Sequence, residues 1–433
     1  MSVKALVKSL IPTPLMKRLS AARTASRFEA TLSDWDKATA RVVQRDVQRP
    51  VRRVLVVPSD TETLIGALGD DAMISAIGSM CRSVSPTVEI VIVIQGAAAA
   101  ATARSRGLVP LDIWGAPDFM GEIVKILNAG DIDAAFALGA DVMDGYYSPI
   151  VPARIAAVMD LACRCGIPAT ILGFSFNNAP HPGLSEAFDR MHSDVQVCLR
   201  DEISLERFRR FSSHPARLVA DSAFMLVPSE PAQAEADWIA ARRAAGDRVI
   251  GVNLHPMLIR NATPEQVNEI VRVGAEALLA VAAKRPVSWF LLPHDYRGEL
   301  GDARCLEPIR NAISGRLGER VRYLEGMHLA ADLKGLAGIL DGIVTGRMHL
   351  AIGSLGQGTP TVSVTYQDKF EGLYRHFGLP DWMLLSPQRY LTPGSFEAAL
   401  TRFVDEIDQV TAIVESRAGA VKDLSRDNFS SIL

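Results

Sequence analysis

Short apolar runs alternate with amphipathic stretches along the chain from Val51 onward. Runs rich in Val, Ile and Leu, without alternating polar residues, are typical of parallel strands that are buried on both faces. Apolar residues three and four positions apart predict helices at residues 71–81 and 155–165. The first half of the chain therefore predicts a helix-covered parallel sheet, with strands at residues 54–57, 88–94, 134–138, 169–172 and 195–199.

A cluster of turn-forming residues at 228–236 interrupts this alternation, which then restarts. Helices are predicted at residues 264–283 and from Ser395 onward. The later strands are predicted at residues 249–253, 287–292, 321–324, 342–345 and 361–364. The pattern predicts an α/β protein with two Rossmann-like domains, residues 51–235 and residues 236–433, the second ending in a helix that braces the first. Because α/β sheets bind ligands at the carboxyl ends of their strands, we expect a site in the cleft between the domains.

The bulk composition narrows the classes of function. The chain has 433 residues, more than one hydrophobic core usually organises, which agrees with two domains. A net charge of −3 provides no basic field, so we expect no nucleic-acid partner. The five cysteines are odd in number, and no spacing of Cys or His matches a metal site. We therefore expect a reducing compartment and no metal ion.

The first 50 residues differ from the rest, because basic residues such as Lys4 and Lys8 are interleaved with apolar ones such as Leu10 and Ile11. This composition suits peripheral contact with an anionic inner membrane surface. It also suits a basic arm or a helix packed on the domain surface. No apolar run could cross a bilayer and no secretory signal pattern is present, so the cytoplasm is the expected location.

The segment 342–377 contains the clearest candidates for chemistry. A predicted strand ends at Thr345, Gly346 allows a tight turn, and a helix then opens with Arg347 and His349. The N-terminus of a helix presents free N–H groups and a positive dipole end, which suit an anion. A guanidinium matches carboxylate or phosphate, and an imidazole moves protons near neutral pH. These residues predict an anion-binding catalytic site.

The same segment closely resembles the C-terminal signature of the polysaccharide pyruvyl transferase family. That signature has an Arg-x-His pair, then Gly-x-Pro, then Tyr-x-x-Lys, which are here Arg347 and His349, Gly358 and Pro360, and Tyr366 and Lys369. Weaker matches lie in the first domain, at Gly69-Asp70 and at Arg200 to Ser204 before a predicted helix. Where the family has Gly-Gly-Asp after a third strand, this chain has Gly139-Ala140-Asp141, and this departure weakens the resemblance at that point. The resemblance covers about residues 51–390.

The resemblance implies a GT-B-like pair of domains and transfer of a pyruvyl group from phosphoenolpyruvate to a sugar of an exopolysaccharide or other cell-envelope glycan. The product would be a ketal or an enol ether, and phosphoenolpyruvate is a co-substrate with no further cofactor. Arg347 and His349 are the expected catalytic residues, with His349 as general acid or as proton donor to the departing phosphate. The expected donor-binding residues are Arg200, Arg347, Lys369, Tyr366 and His294.

Candidate acceptor residues follow strands of the first domain. Asp70, Asp144, Tyr146 and Asn177 combine carboxylate, amide and aromatic groups that can bond hydroxyls and stack on a sugar ring. The same residue types are common in ordinary turns and caps. The basic leader suggests that the sugar acceptor is lipid-linked at the inner membrane surface.

Two other functions fit the same architecture. The first is a GT-B glycosyltransferase with a nucleotide-sugar donor, which would have a similar cationic cleft. The second is a non-catalytic scaffold in polysaccharide assembly, against which the presence of both Arg347 and His349 counts. The sequence has no dinucleotide fingerprint, Walker A loop or G-x-S-x-G elbow, which disfavours nicotinamide enzymes, P-loop enzymes and serine hydrolases.

Overall fold

Two parallel β-sheets, one in each half of the chain, organise the fold of the computed structural model, which describes residues 13–46, 50–65, 67–365 and 369–433. Within those residues the first sheet has seven strands in the spatial order β3-β2-β1-β4-β5-β6-β7. They are β1 (Arg53–Val57), β2 (Glu89–Ile94), β3 (Val109–Asp112), β4 (Ala134–Leu138), β5 (Ala169–Phe174), β6 (Gln196–Leu199) and β7 (Ala216–Leu218). The order reverses between β1 and β4, where open α/β sheets form a ligand crevice.

The second sheet repeats this arrangement with six strands in the described part of the chain, in the order β10-β9-β8-β11-β12-β13. They are β8 (Arg248–Asn253), β9 (Val287–Leu291), β10 (Val321–Tyr323), β11 (Gly342–Thr345), β12 (Thr361–Val364) and β13 (Leu384–Leu385). Its order reverses between β8 and β11. The predicted fold class, two Rossmann-like α/β domains, is confirmed.

Helices connect the strands and cover both faces of each sheet. In the first half they are Thr13–Thr39, Leu68–Val84, Ala97–Ser105, Phe119–Ala129, Ile150–Arg164, Leu184–Asp189 and Glu202–Phe211. In the second half they are Gln233–Ala244, Pro264–Lys284, Ala303–Leu317, Ala330–Ala337, Met348–Leu355, Phe370–Phe377, Pro387–Leu391 and Ser395–Arg426. The sequence pattern missed β3, β7 and β13. The first two are edge strands without a fully buried residue and the third has only two residues, so none carries a continuous apolar run.

The N-terminal helix (Thr13–Thr39) packs on the first domain through one face of its second half. Phe28, Leu32, Trp35 and Ala38 are buried at helical spacing on that face. The indole Nε1 of Trp35 donates a hydrogen bond to Asp160 Oδ2 at 2.7 Å. This part of the leader is therefore a helix docked on the domain surface. Across the described residues, no helix is both long enough and apolar enough to cross a membrane.

The C-terminal helix (Ser395–Arg426) links the two sheets. It packs against the second domain through residues such as Phe403, which meets Gly342 in β11. At its far end, the Ser425 hydroxyl donates to the carbonyl of Asp221 at 2.7 Å. Just beyond the helix, Asn428 accepts a hydrogen bond from the backbone N–H of Gly173 in β5, also at 2.7 Å. These contacts fix one sheet relative to the other.

Candidate active site

A cavity of about 540 Å³ lies between the carboxyl ends of the two sets of strands. The first domain lines it with Ser59 and Asp60 after β1, the start of helix Leu68–Val84, Ala140 to Val142 after β4, Tyr147, and Arg200 after β6. The second domain lines it with Met257, His294, Asp295, Arg297, Leu300, Arg347, Met348, His349 and Lys369. We call this space the main cavity. Most of the residues predicted for the donor site therefore meet in one place.

Two helices direct their N-termini at the main cavity from opposite sides. They are Leu68–Val84 of the first domain and Met348–Leu355 of the second. Gly69 in the first turn of one meets the imidazole of His349 in the first turn of the other. A Cβ atom placed on Gly69 would lie 2.3 Å from His349 Nδ1, so any larger residue would displace the ring. Two positive dipole ends thus converge, which favours an anionic ligand.

His349 is largely buried, and its second nitrogen faces a carboxylate that the sequence did not suggest. Nε2 lies 3.8 Å from Asp221 Oδ2 and has no hydrogen-bond partner among the described residues. Burial lowers the pKa of His349, with Arg200 and Lys369 acting the same way, although Asp221 opposes the shift. The imidazole is therefore neutral near pH 7. A neutral imidazole can accept a proton from a hydroxyl group.

Arg200 shares the same carboxylate. Its Nη1 donates to Asp221 Oδ2 at 3.0 Å, and both residues are buried. The Nε of Arg200 is buried without a hydrogen-bond partner in the described part of the chain. The side chain of the neighbouring Asp201 caps helix Glu202–Phe211 by accepting from Ser204 N. Arg200, Asp221 and His349 thus form a continuous polar chain along one wall of the cavity.

Asp221 is the main site residue that the sequence analysis missed. It precedes a single 3₁₀ turn (Ser222–Met225) and caps it, with Oδ1 accepting from Ala223 N at 2.9 Å. The available signal was an Asp-Ser pair shortly before a proline-rich break, which is typical of any turn. Lys334 reinforces this turn from the second domain, because its buried ammonium donates to the carbonyls of Phe224 and Leu226 at 2.8 and 2.7 Å.

Arg347 lines the main cavity, but its guanidinium is occupied by protein groups. Nε and Nη2 donate to Asp302 Oδ1 at 3.0 and 2.6 Å, and Nη1 lies 3.1 Å from Asp295 Oδ2. Nη2 also donates to the carbonyl of Leu300 at 3.0 Å. Asp302 is itself fully buried and accepts from the backbone N–H of His294 at 2.7 Å. Arg347 therefore organises the loop after β9 in this structure, and its contact with a donor stays a prediction.

His294 lies beside this ion-pair network and is buried. Burial and the charges of Arg347 and His349 lower the pKa of His294 to about 3. The ring is therefore neutral at physiological pH. It lines the main cavity as predicted, where it can form hydrogen bonds but carries no charge.

Asp70 occupies the first turn of helix Leu68–Val84 rather than the preceding loop. Its Oδ1 accepts a hydrogen bond from the Ser59 hydroxyl at 2.5 Å. Burial raises the pKa of Asp70 to about 7, and the nearby charge of Asp141 adds to that effect. About half of the molecules therefore carry a protonated carboxyl here at neutral pH. A carboxyl with such a pKa is suited to general acid catalysis.

Lys369 reaches across the cleft from the second domain to Asp141 of the first, with 2.5 Å between Nζ and Oδ2. Burial alone would raise the pKa of Asp141, but the ammonium of Lys369 and the guanidinium of Arg200 hold it below its ordinary value. The carboxyl group of Asp141 is therefore ionised at neutral pH. The partner residue in the signature, Tyr366, lies outside the described residues. Ala140, where the family has glycine, adopts a positive φ of 44°, a conformation that favours glycine.

A smaller cavity of about 220 Å³ adjoins the main one and shares Asp141, Tyr147 and Lys369 with it. We call it the side cavity. Three predicted acceptor residues line it, namely Asp144, Tyr146 and Asn177. The amide of Asn177 donates to Asp144 at 2.5 Å, and the rings of Tyr146 and Tyr147 meet edge to face at 5.1 Å. The fourth predicted acceptor residue, Asp70, lies in the main cavity instead.

The side cavity has the features of a sugar site. Tyr146 and Tyr147 are 42% and 62% exposed, which leaves aromatic surface available to a ring. Arg260 of the second domain stacks on Tyr146, with its guanidinium carbon 5.0 Å from the ring centroid. Both domains therefore contribute to this cavity. Carboxylate and amide groups beside open aromatic faces match the hydroxyls and apolar faces of a sugar.

The chain matches one family model over more than half its length. The model for polysaccharide pyruvyl transferase matches residues 67–368, which contain all of the site residues described above except Ser59, Asp60 and Lys369. No curated protein matches the sequence.

Solved structures show the same fold at low sequence identity. A putative UDP-N-acetylglucosamine 2-epimerase from Listeria monocytogenes is 12% identical with a TM-score of 0.54, over 88% of this chain and 96% of that one. The Anabaena protein Alr3699/HepE, solved with UDP-glucose, is 13% identical with a TM-score of 0.50, over 88% and 96% of the two chains. A glycosyltransferase from Rickettsia africae is 11% identical with a TM-score of 0.51, over 88% and 95%. The predicted GT-B-like fold is thereby confirmed.

Proposed function

This chain belongs to the polysaccharide pyruvyl transferase family, and we propose on that basis that it transfers a pyruvyl group from phosphoenolpyruvate to a sugar of an exopolysaccharide or other cell-envelope glycan. The proposed product is a pyruvate ketal. The observation that carries the proposal is the convergence of two helix N-termini, Arg200 and His349 on one cavity. Phosphoenolpyruvate carries a carboxylate and a phosphate, and this cavity offers cationic and N–H groups to both.

The residues that bind phosphoenolpyruvate can be assigned by asking which cationic side chains of the main cavity can still contact a ligand. Among the described residues, the buried Nε of Arg200 has no hydrogen-bond partner, so one donor is available for an oxygen of the ligand. Arg297 lines the same cavity and is 40% exposed, although Asp295 shares its charge. Lys369 can exchange its contact with Asp141 for one with phosphate. Arg347 would act chiefly by holding the loop of Asp295 in place, since its own donors are already occupied.

Ketal formation needs balanced proton transfers. The C2 atom of phosphoenolpyruvate gains bonds to two sugar hydroxyl oxygens and loses its bond to the phosphate oxygen. Its double bond to the methylene carbon becomes a single bond as that carbon gains one proton and becomes a methyl group. In our proposal Asp70 supplies the proton to the methylene carbon, because its pKa of about 7 leaves it partly protonated. Neutral His349 takes the proton of the first attacking hydroxyl and passes it to the departing phosphate. The proton of the second hydroxyl restores Asp70.

The acceptor sugar is proposed to occupy the side cavity, with its reacting hydroxyls directed past Asp141 into the main cavity. This placement uses Asp144, Tyr146 and Asn177 as predicted and gives Asp70 a role in proton transfer. A lipid-linked acceptor and peripheral membrane contact through residues 1–50 remain part of the proposal. The described cysteines are all free, which suits the reducing cytoplasm as its location.

A thermal-shift titration tests the donor assignment without an acceptor, because a ligand that binds only the folded state raises its melting temperature. We expect phosphoenolpyruvate to raise the melting temperature of the wild type, with UDP, GDP and CMP as nucleotide controls. Arg200→Lys should lose most of this shift, because it keeps a charge beside Asp221 but lacks the free Nε. Arg209→Lys is the matched control, since Arg209 is exposed on the following helix.

Turnover is then measured as phosphate release from phosphoenolpyruvate in the presence of candidate glycans, with mass spectrometry to detect the added pyruvyl group. If nucleotides raise the melting temperature and phosphoenolpyruvate does not, the nucleotide-sugar alternative would replace the pyruvyl transfer proposal. Binding of phosphoenolpyruvate without turnover on any envelope glycan would favour the non-catalytic scaffold.

A further inference from the structure

A third cavity, of about 570 Å³, lies between the N-terminal helix (Thr13–Thr39) and the carboxyl edge of the first sheet. We call it the leader cavity. The helix contributes Arg27, Ala30, Thr31 and Asp34, and the domain contributes Gln95, Trp114 to Pro117, Ser148, Ile150, Val151 and Arg154. The family match begins at residue 67, so the helix that forms one wall of this cavity lies outside it.

Two guanidinium groups, those of Arg27 and Arg154, line the leader cavity together with the carboxylate of Asp34. Arg154 is half-buried between aromatic rings, with its guanidinium carbon 5.2 Å from the centroid of Trp114 and 4.7 Å from that of Phe119. Its Nη1 donates to the carbonyl of Trp114 at 2.7 Å, which fixes the group in place. Arg27 faces it from the helix. Within the residues that the structure describes, neither arginine forms an ion pair.

The charge balance of the cavity favours an anion. Burial lowers the pKa of Arg154, and the charge of Arg27 lowers it further, which is the signature of two cations that repel each other. Asp34 offsets part of this repulsion, but its carboxylate is exposed and paired with Lys37 at 2.9 Å. An anionic group between the two guanidiniums would remove the repulsion and match their planar donor geometry.

We propose that the leader cavity binds a phosphate or diphosphate group carried by the acceptor, with Arg27 and Arg154 as its ligands. The proposal rests on the proposed function for the identity of the acceptor, but the site itself does not. In this proposal the N-terminal helix (Thr13–Thr39), which precedes the residues that match the family model, takes part in binding the acceptor.

The position of the leader cavity relative to the side cavity supports this assignment. Tyr147 lines the side cavity and the next residue, Ser148, lines the leader cavity, so only this segment separates them. On the other side, the amide of Gln95 donates to Glu62 at 3.1 Å, which ties the leader cavity to the loop that carries Asp60 of the main cavity. A sugar in the side cavity would therefore direct a phosphate on its neighbouring atoms toward the two arginines.

The direction of the N-terminal helix and the sequence before it indicate a lipid source for the phosphate. Beyond the helix end, Arg45 N donates to Cys165 O just before β5, which places the helix C-terminus at the amino edge of the first sheet. Arg27 lies near residues that follow β3 and β4, so the helix runs from the carboxyl edge toward the amino edge. The sequence before the helix carries Lys4 and Lys8 with Leu10 and Ile11, a composition that suits an anionic membrane surface.

The site is tested by calorimetric titration with inorganic pyrophosphate, in the presence of saturating phosphoenolpyruvate to occupy the main cavity. We expect Arg27→Gln and Arg154→Gln each to weaken pyrophosphate binding about tenfold or more, because each removes a charge-assisted contact. Arg23→Gln is the matched control, since Arg23 is exposed one turn earlier on the same helix and does not line the cavity. Arg154→Lys keeps the charge without the fork and should give an intermediate loss if Arg154→Gln does not fold.

Equal affinity in the wild type, Arg27→Gln and Arg23→Gln would overturn the site. Flotation with vesicles then separates the two sources of phosphate. Vesicles that contain a polyprenyl phosphate should bind the wild type several-fold better than vesicles of equal charge made with phosphatidylglycerol, and Arg27→Gln should remove the difference. If pyrophosphate binding depends on the arginines but the protein does not prefer vesicles with polyprenyl phosphate, the lipid source is wrong. The phosphate would then belong to a free phosphorylated acceptor. Failure of phosphoenolpyruvate to bind or turn over would refute the proposed function and leave this site unaffected.

Discussion

Gly69→Ala is the most informative single substitution, because it adds one methyl group at the point where the two helix N-termini meet. The new Cβ would lie 2.3 Å from His349 Nδ1 and 2.7 Å from Cε1. Ordinary contact begins at 3.4 Å, so the imidazole must retreat by about 1 Å. A misplacement of this size in a catalytic group costs about 100-fold in rate, equivalent to about 2.7 kcal/mol of barrier.

Loss of stability should be small beside this loss of rate. Gly69 lies in a helix with an ordinary backbone, where Ala is more favourable than Gly by up to about 1 kcal/mol, and this gain offsets part of the overpacking cost of about 1–3 kcal/mol. The variant should therefore stay folded and unfold cooperatively at a denaturant concentration close to that of the wild type. Gly78→Ala provides the matched control in the same helix, since its Cβ meets the flexible end of Arg82 at 3.0 Å and Ile90 Cδ1 at an ordinary contact distance of 3.7 Å. It should gain helix stability and keep full activity.

The assay is phosphate release from phosphoenolpyruvate with a saturating acceptor, with kcat and KM determined separately. If the ring of His349 turns away, kcat should fall about 100-fold with little change in KM. If the two domains separate instead, KM for phosphoenolpyruvate should rise as well. Turnover of Gly69→Ala within threefold of Gly78→Ala would refute the reasoning, because His349 would then not need its observed place against Gly69.

Three further predictions concern Asp70, Lys334 and Ala140. If the carboxyl of Asp70 is the acid, kcat should fall as the pH rises above about 7, where the protonated form is lost, and Asp70→Asn should be nearly inactive without this pH limb. Burial lowers the pKa of Lys334 from 10.5 in the unfolded chain to about 7 in the folded protein. Between pH 7 and pH 10.5 the unfolded chain therefore binds more protons at this residue than the folded protein does, and the free energy of unfolding should rise with pH over that range. Denaturant unfolding should show this rise in the wild type and not in Lys334→Met; parallel pH profiles would contradict the assignment. Ala140→Gly should change the free energy of unfolding by less than about 0.5 kcal/mol, because relief of the positive φ offsets the entropy of glycine. The control Ala137→Gly in strand β4 should lower the free energy of unfolding by about 1 kcal/mol or more. Equal losses of stability in calorimetry would show that Ala140 is not strained.

The asymmetry between Arg347 and Arg200 in the main cavity bears on how the proposed donor binds. Arg347, the residue most obvious in the sequence, has its donors satisfied by Asp302, Asp295 and a carbonyl. Arg200 retains a buried Nε without a hydrogen-bond partner in the part of the chain that the structure describes. A buried donor without a partner is unfavourable until a ligand supplies one, which favours Arg200 as the group that gains most on donor binding.

The sequence by itself determined most strands of the two sheets and the position of the segment that carries Arg347 and His349. The bounds of β4, β11 and β12 agree with those predicted. Every residue of these strands is buried, and strands buried on both faces are rich in small, apolar and β-branched residues. Thr345 and Gly346 likewise predicted the turn that puts Arg347 and His349 at a carboxyl edge. Such features depend on neighbours along the chain, so a single sequence records them.

Only the tertiary structure decided which charges pair and which helix ends meet. Gly69 and His349 come from different domains, and Asp221 reaches His349 only because the C-terminal helix fixes one sheet against the other. The pairing of Arg347 with Asp302 depends in the same way on the path of the loop after β9. Each ion pair is chosen by distances of a few ångströms between residues far apart in sequence, and no local pattern of hydrophobic and polar residues encodes those distances.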